Sequence, residues 1–367
     1  VILFLASVAR FYHPGTGFTA LLGLPAGHDS EAPVFRAIPH YDYPAWASYD
    51  GQFYVQRALD PLIRDPEVDR AMDLAPFRAR RILFSWTAYL VGLGRPAWIV
   101  QVYALQNVVC WLLLAALLTR WMPLTSGRGL AVWAACLFSH GMLWSVRFAL
   151  LDGPSVVLTA CAVIAVERGR PLASAIVTGM SALGRETNLL SILAQPVPSD
   201  RRGWARLGIG LAIAALPILI WYDYLRSIYR STLLAGTNQL VLAGSGISEI
   251  WRGVLVGIER NGLFSGDGLS LCLMLSLAVQ AIYLIVRREY PAPWWRVAVG
   301  YALLMLTLDR VLANPHTGAI TRVLLPLTVG FNVLLAREPR TTRFWPWFVA
   351  GNLHLLATFR VMPLTPW

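Results

Sequence analysis

Apolar stretches of helical length recur along the whole chain. The clearest runs from residue 97 to 118 without a single charge, and about 20 mostly apolar residues are what a bilayer-spanning helix needs. Further stretches cover 129–146, 154–166, 172–183, 188–197, 207–221, 269–286, 294–308, 323–336 and 344–359. Several are short, so they must borrow flanking residues, tilt, or form broken helices that line a cavity. The opening "VILFLASVARFY" lacks the basic start and cleavage site of a signal peptide. It reads as the end of a first transmembrane helix, residues 1–12, whose beginning is missing. The pattern predicts an all-α, polytopic membrane protein of roughly 10–11 helices. Residues 1–367 form a single integral membrane domain, with the helix bundle over 97–367.

Residues 13–96 break this pattern. The strip "ILFSWTAYLVGLG" (82–94) is too short to span and predicts an interfacial or partly inserted helix. The stretch "HYDYPAWASYDGQFYVQRALDP" (40–61) packs four tyrosines, a tryptophan, a phenylalanine and three aspartates into 22 residues. It predicts an extracytoplasmic loop with short amphipathic helices.

Composition sharpens the class. The chain is 56% hydrophobic and 14% charged, where soluble domains carry roughly 25% charged residues. Its 31 basic residues are all arginine, against 20 acidic ones, for a net charge of +11. Membrane proteins collect arginine at their cytoplasmic edges, and no basic run here is interleaved with exposed aromatics, so nucleic acid is not an expected partner. Cys110, Cys136, Cys161 and Cys272 stand alone in apolar runs. Neither a disulfide framework nor a Cys/His zinc site is supported.

Arginine placement orients the chain. If 97–118 runs inward, the inside loops are "TRWMPLTSGRG", "ERGRP", "SDRRGWAR", "RREYPAPWWR" and "AREPRTTR", each with two or three arginines. Arg120, Arg168, Arg201, Arg288 and Arg340 then share the cytoplasmic side, opposite Asp50. This requires 172–197 to go out and come back, as two half-length helices meeting at the charged turn "GRETN".

The ionisable residues that are not topology signals then collect on the outer side: Asp50, Asp152, Arg185, Glu186, Asp309, Arg310, His316 and Arg322. Such groups beside spans are costly, and they usually face a cavity and mark function. For Asp50 two readings stand. Partial desolvation by its aromatic neighbours would raise its pKa and make it a general base, with Gly51 leaving room for substrate. Alternatively it caps a helix starting at Gly51. Asp152 in "LLDGP" also carries a cap signature. Arg185 and Glu186 either pair with each other, or Arg185 holds a phosphate through its planar donor fork.

Four features resemble the GT-C-type glycosyltransferases, polytopic membrane enzymes that use polyprenyl-phosphate-linked sugars. They are the Asp-Gly loop "YDGQFY", Asp152 ahead of a short span ending in "VERGR", the charged hairpin "SALGRETNLLSIL", and the late "TRVLLPL". In detail the chain is similar to bacterial proteins of cell-surface glycopolymer formation. It lacks a large C-terminal soluble domain and a clear Asp-x-Asp, which separates it from the better-known members. The resemblance implies a multi-pass protein of the bacterial cytoplasmic membrane whose site faces the exterior. A sugar would pass from its lipid phosphate to an extracytoplasmic glycan or other acceptor, with Asp50 as the base. Tyr49, Tyr54 and Asp152 would bind or orient the acceptor, and Arg185, Arg322 and His316 would bind the donor phosphate, supported by Glu186. A divalent cation, Mg or Mn, is a possible cofactor on Asp152. A lipid-linked-sugar transporter and a non-catalytic subunit of a membrane complex are the alternative classes.

Overall fold

The computed structural model describes residues 1–26, 31–44, 49–230, 244–309 and 318–359. It is mostly helical. The strands among the described residues are Leu24–Pro25 and Asp42–Tyr43, which pair in parallel. Three helices are long and apolar enough to cross a membrane: Pro96–Leu118, Arg201–Tyr229 and Gly266–Arg287. Gly127–Leu137 and His140–Arg147 make a fourth if counted as one span bent by 44°. The bend falls at Ser139, whose backbone is extended. The second half of this pair then lies so close to the 318–323 segment that a Cβ on Gly141 would strike the Thr321 carbonyl.

The remaining apolar stretches form shorter helices, and their burial shows why. Every residue of Leu325–Leu335 is buried, so that helix is core rather than a lipid-facing element, and it packs on Pro293–Thr307, Gly266–Arg287 and Gly127–Leu137. The Arg201–Tyr229 helix is the opposite case. Ile209, Leu211, Leu216, Leu219 and Ile220 are exposed along it, as suits a helix whose outer face meets hydrocarbon. Where it meets Pro171–Ala182, Gly179 brings the backbones together: a Cβ there would sit 2.8 Å from the Ala214 carbonyl oxygen. Small residues at such crossings are the usual route to close helix packing in membranes.

The hairpin expected at "GRETN" is present, with an asymmetry the pattern did not predict. Pro171–Ala182 is α-helical, but the return arm, Glu186–Ala194, is a 3₁₀ helix. At about 1.5 Å per residue the twelve α residues rise about 18 Å. At about 2.0 Å per residue the nine 3₁₀ residues rise about 18 Å as well. The tighter winding lets a shorter arm return to the same level, where Gln195 Nε2 donates to the Pro171 carbonyl at 3.2 Å.

That level is one end of the helical assembly, and the arginine-rich loops meet there. Arg120 pairs with Glu167 at 2.8 Å. Arg296 donates to the Ala194 and Leu193 carbonyls. Arg287 pairs with Glu338, Arg337 with Glu289, and Arg128 donates to the Glu338 carbonyl. Pro198, Trp204, Tyr290 and Arg296 line one cavity of about 440 Å³, which brings in the "SDRRGWAR" loop.

Within 13–96 the helices are short, and the one that follows Asp50 is enclosed by protein. In the Gly51–Leu59 helix every residue but Leu59 is buried. Its polar side chains are bound inside the protein, with Arg57 paired to Asp69 and Asp60 and Gln56 accepting from the Ala32 N–H. Leu83–Val91 is a nine-residue helix with Leu90 and Val91 exposed, and it turns directly into Pro96–Leu118.

The gathering of the five loops predicts that single cysteines engineered at positions 120, 168, 201, 288 and 340 share one labelling pattern in intact cells, opposite to that of a cysteine at position 50. Outside reagent reaching both 50 and 201 would contradict the arrangement.

Candidate functional site

The helix that begins at Asp152 ends at Glu167, so Asp152 lies about 24 Å from the arginine-rich end. Arg185, at the tip of the hairpin, reaches the same opposite end and pairs with Asp152 Oδ1. Arg322, from the short helix Ala319–Val323, donates Nη1 to Asp152 Oδ2 at 3.2 Å and Nη2 to the Tyr49 hydroxyl at 2.7 Å. Its guanidinium carbon lies 5.0 Å from the Tyr49 ring centroid. Tyr49 in turn stacks on Phe148 at 4.8 Å. Three segments far apart in sequence thus converge on one carboxylate whose side chain is 2% exposed.

Asp50, next to Tyr49, continues the network. Its Oδ1 accepts from Arg78 Nη2 at 2.9 Å. Arg78 also holds Asp73, through Nε at 2.9 Å and Nη2 at 2.6 Å, and donates to the Tyr54 hydroxyl at 3.3 Å. Arg81 donates to the same hydroxyl at 3.4 Å and to Glu186 at 2.9 Å. Glu186 also lies 3.7 Å from Arg80 and accepts from Tyr222 at 3.5 Å. Five arginines and four carboxylates are joined in this way.

Several sequence readings change here. Asp50 precedes the Gly51–Leu59 helix but makes no side-chain cap to it, because its carboxylate is turned to Arg78. Asp152 does not cap its helix either. The Gly153 N–H is taken by Ser145 Oγ at 2.8 Å, which frees the carboxylate for its two arginines. Arg185 and Glu186 do not pair with each other but face Asp152 and Arg81 respectively. The space beside Gly51 is filled by the protein rather than left for substrate: a Cβ there would strike the Phe148 carbonyl oxygen and come within 3.0 Å of Leu22's. The backbone just after Phe148 is strained too, since Ala149 adopts a left-handed φ of 47°. His316 and Arg310 lie outside the described residues.

The expected rise in the Asp50 pKa is reversed. Enclosure pushes the carboxyl up, but the Arg78, Arg322 and Arg81 guanidiniums outweigh it and hold the group below the ordinary carboxylate range. Its side chain remains 40% exposed while that of Arg78 is 6% exposed. Asp50 is therefore an accessible anion at neutral pH, not a neutral acid. A depressed folded-state pKa gives stability that is complete above the unfolded value and lost only as pH falls through the folded one. The Asp50–Arg78 pair thus stays intact throughout the pH 5–8 range.

Among the described residues, the buried Nε–H groups of Arg185 and Arg322 have no acceptor. Leaving such a donor unmade costs roughly 1–3 kcal/mol. Two of them flank one carboxylate, at a site with more guanidinium than carboxylate. That arrangement suits an added anion. It does not suit a divalent cation on Asp152, because both carboxylate oxygens already face arginine.

The sequence reading missed Arg78, Arg81 and Asp73. A signal was available: "FRARR" places three arginines in a loop assigned to the outside, against the rule that located the other loops. No protein-family model matches the chain, and no curated protein matches it.

The Phe148 contact predicts that Gly51→Ala destabilises the protein by roughly 1–3 kcal/mol, the usual range for forced overpacking, read as a lower melting temperature in detergent. An unchanged melt would show that the backbone yields there.

Proposed function

We propose that the chain is a multi-pass membrane glycosyltransferase of the GT-C type, which moves a sugar from a polyprenyl-phosphate donor to an acceptor on the outer side of a bacterial cytoplasmic membrane. The observation that carries this reading is the pair of Nε–H groups on Arg185 and Arg322 that have no acceptor among the described residues, beside an accessible anionic Asp50. The donor phosphate binds across the two guanidiniums. Charge grows on that phosphate as the glycosidic bond breaks, so fixed arginines stabilise the transition state more than the bound donor. Asp50 holds the acceptor hydroxyl and takes its proton as the new bond forms at the anomeric carbon, with inversion. Arg78 lowers the basicity of Asp50 but fixes its position. The proton therefore moves late, when attack has already made the hydroxyl acidic. Tyr49 and Tyr54 hold Arg322 and Arg78 in place rather than meeting the acceptor alone.

The closed ion pairs favour one second reading, a non-catalytic subunit in which the same charges only fasten the loops together. The test is sugar transfer from a polyprenyl-phosphate donor in liposomes, with a thermal melt alongside. Asp50→Asn retains the size of the side chain and an acceptor oxygen for Arg78. It is expected to fold, bind donor, and lose roughly 10²–10⁴-fold in transfer rate. The wild-type rate is expected to show no step from Asp50 between pH 5 and 8, because its pKa is depressed. Wild-type turnover by a folded Asp50→Asn protein would support the subunit reading instead.

A further inference from the structure

A second constellation lies outside the arginine network, in the segment that leads into Asp50. Glu31, His40 and Asp42 bring one donor atom each to within 4.8 Å of one another. His40 Nε2 is 3.1 Å from Glu31 Oε1 and 3.1 Å from Asp42 Oδ1. The side chains of His40 and Glu31 are 5% and 1% exposed, and that of Asp42 is 39% exposed.

Hydrogen positions decide what this group can hold. His40 Nδ1 lies 2.6 Å from the Ile38 carbonyl oxygen. A carbonyl can only accept, so Nδ1 carries the proton, and in a neutral ring Nε2 is a bare lone pair. That lone pair points at two carboxylate oxygens, which also only accept. Something positive must lie between them. A second proton on Nε2 would have to be shared between both oxygens in a three-centre bond. Charge-assisted N–H···O contacts also close to about 2.7–2.9 Å, shorter than either contact here. The spacing instead matches one edge of a coordination shell. At bond lengths of about 2.0–2.1 Å, neighbouring ligands of tetrahedral zinc lie about 3.3 Å apart.

We propose that Glu31, His40 and Asp42 bind one divalent transition-metal ion of zinc's class, through His40 Nε2 and one oxygen from each carboxylate, with water completing the shell on the exposed Asp42 side. The outer partner is already built, since ligating histidines commonly donate their other N–H to a backbone carbonyl, as His40 does to Ile38. Imidazole with carboxylate suits zinc or manganese better than magnesium or calcium, which prefer all-oxygen shells. The ligands also sit where a clasp would act. The Ala32 N–H, adjacent to Glu31, is held by Gln56 of the Gly51–Leu59 helix at 2.7 Å. Asp42 opens the short strand that pairs with Leu24. An ion here fixes residues 31–42 against the helix that follows Asp50. This inference stands apart from the glycosyltransferase reading and survives its failure.

The test uses the full chain in detergent, stripped with chelator and then titrated with zinc or cobalt. One zinc per chain is expected to bind, to raise the melting temperature above that of the stripped protein, and to be ignored by magnesium competition. Cobalt is expected to give visible d–d absorption typical of mixed nitrogen and oxygen ligands. His40→Gln and, independently, Asp42→Asn are expected to weaken binding by more than about 100-fold, beyond the roughly 10–100-fold of losing an outer partner alone. Absence of zinc binding and of any chelator effect on the wild-type melt would overturn the site in favour of a doubly protonated His40. So would wild-type affinity in both folded variants.

Discussion

The arrangement depends on one buried carboxylate. Asp152 is held by Arg185 from the hairpin tip and Arg322 from a helix 170 residues away in sequence. Removing one member of such a buried group costs about 3–5 kcal/mol, because the remaining charge is left uncompensated. The ion pairs therefore dictate where the tips of the hairpin and of the Ala319–Val323 helix stand. Apolar packing between lipid-facing helices is weakly directional by comparison. Asp152 joins three separate apolar elements through one buried charged cluster.

From that point the network extends outward with decreasing burial. Arg322 reaches Tyr49, Tyr49 adjoins Asp50, and Asp50 is tied to Arg78. Around Asp152 the Nε–H groups of both arginines lack an acceptor among the described residues, and the outer half ends on an accessible anion. In the function proposed above, a lipid phosphate would meet the inner half and an acceptor hydroxyl the outer half. The same gradient explains why Asp50 is a weak base in the resting protein. The arginines that would stabilise a departing phosphate also hold down its pKa.

Much of this was legible in the sequence, for identifiable reasons. The arginine-rich loops gather at one end of the helical assembly, and their arginine content, counted loop by loop, groups them in the sequence. The hairpin at Arg185 followed from the same grouping, which sets "ERGRP" and "SDRRGWAR" at one end with 172–197 between them. Which carboxylate meets which arginine did not follow, because ion pairing joins residues by three-dimensional proximity. Asp50 and Asp152 both carry local cap signatures, and only the fold reveals that Ser145 takes over one of those tasks while neither aspartate caps. The role of Gly51 inverted for a similar reason: its open side meets the Phe148 carbonyl, which arrives from about a hundred residues away. The 3₁₀ return arm was also hidden, since nine residues are too few for apolar spacing to separate one winding from the other.

The central claim is that Arg185 and Arg322 are held apart by Asp152 so that an anion can bind between them. The most direct measurement is a cryo-electron microscopy map of the protein in nanodiscs with a non-transferable polyprenyl-phosphate sugar. The account predicts phosphate density within hydrogen-bond distance of both guanidiniums, with the sugar toward Asp50. Phosphate bound at the opposite, arginine-rich end, or a lipid that leaves both Nε–H groups without an acceptor, would contradict it.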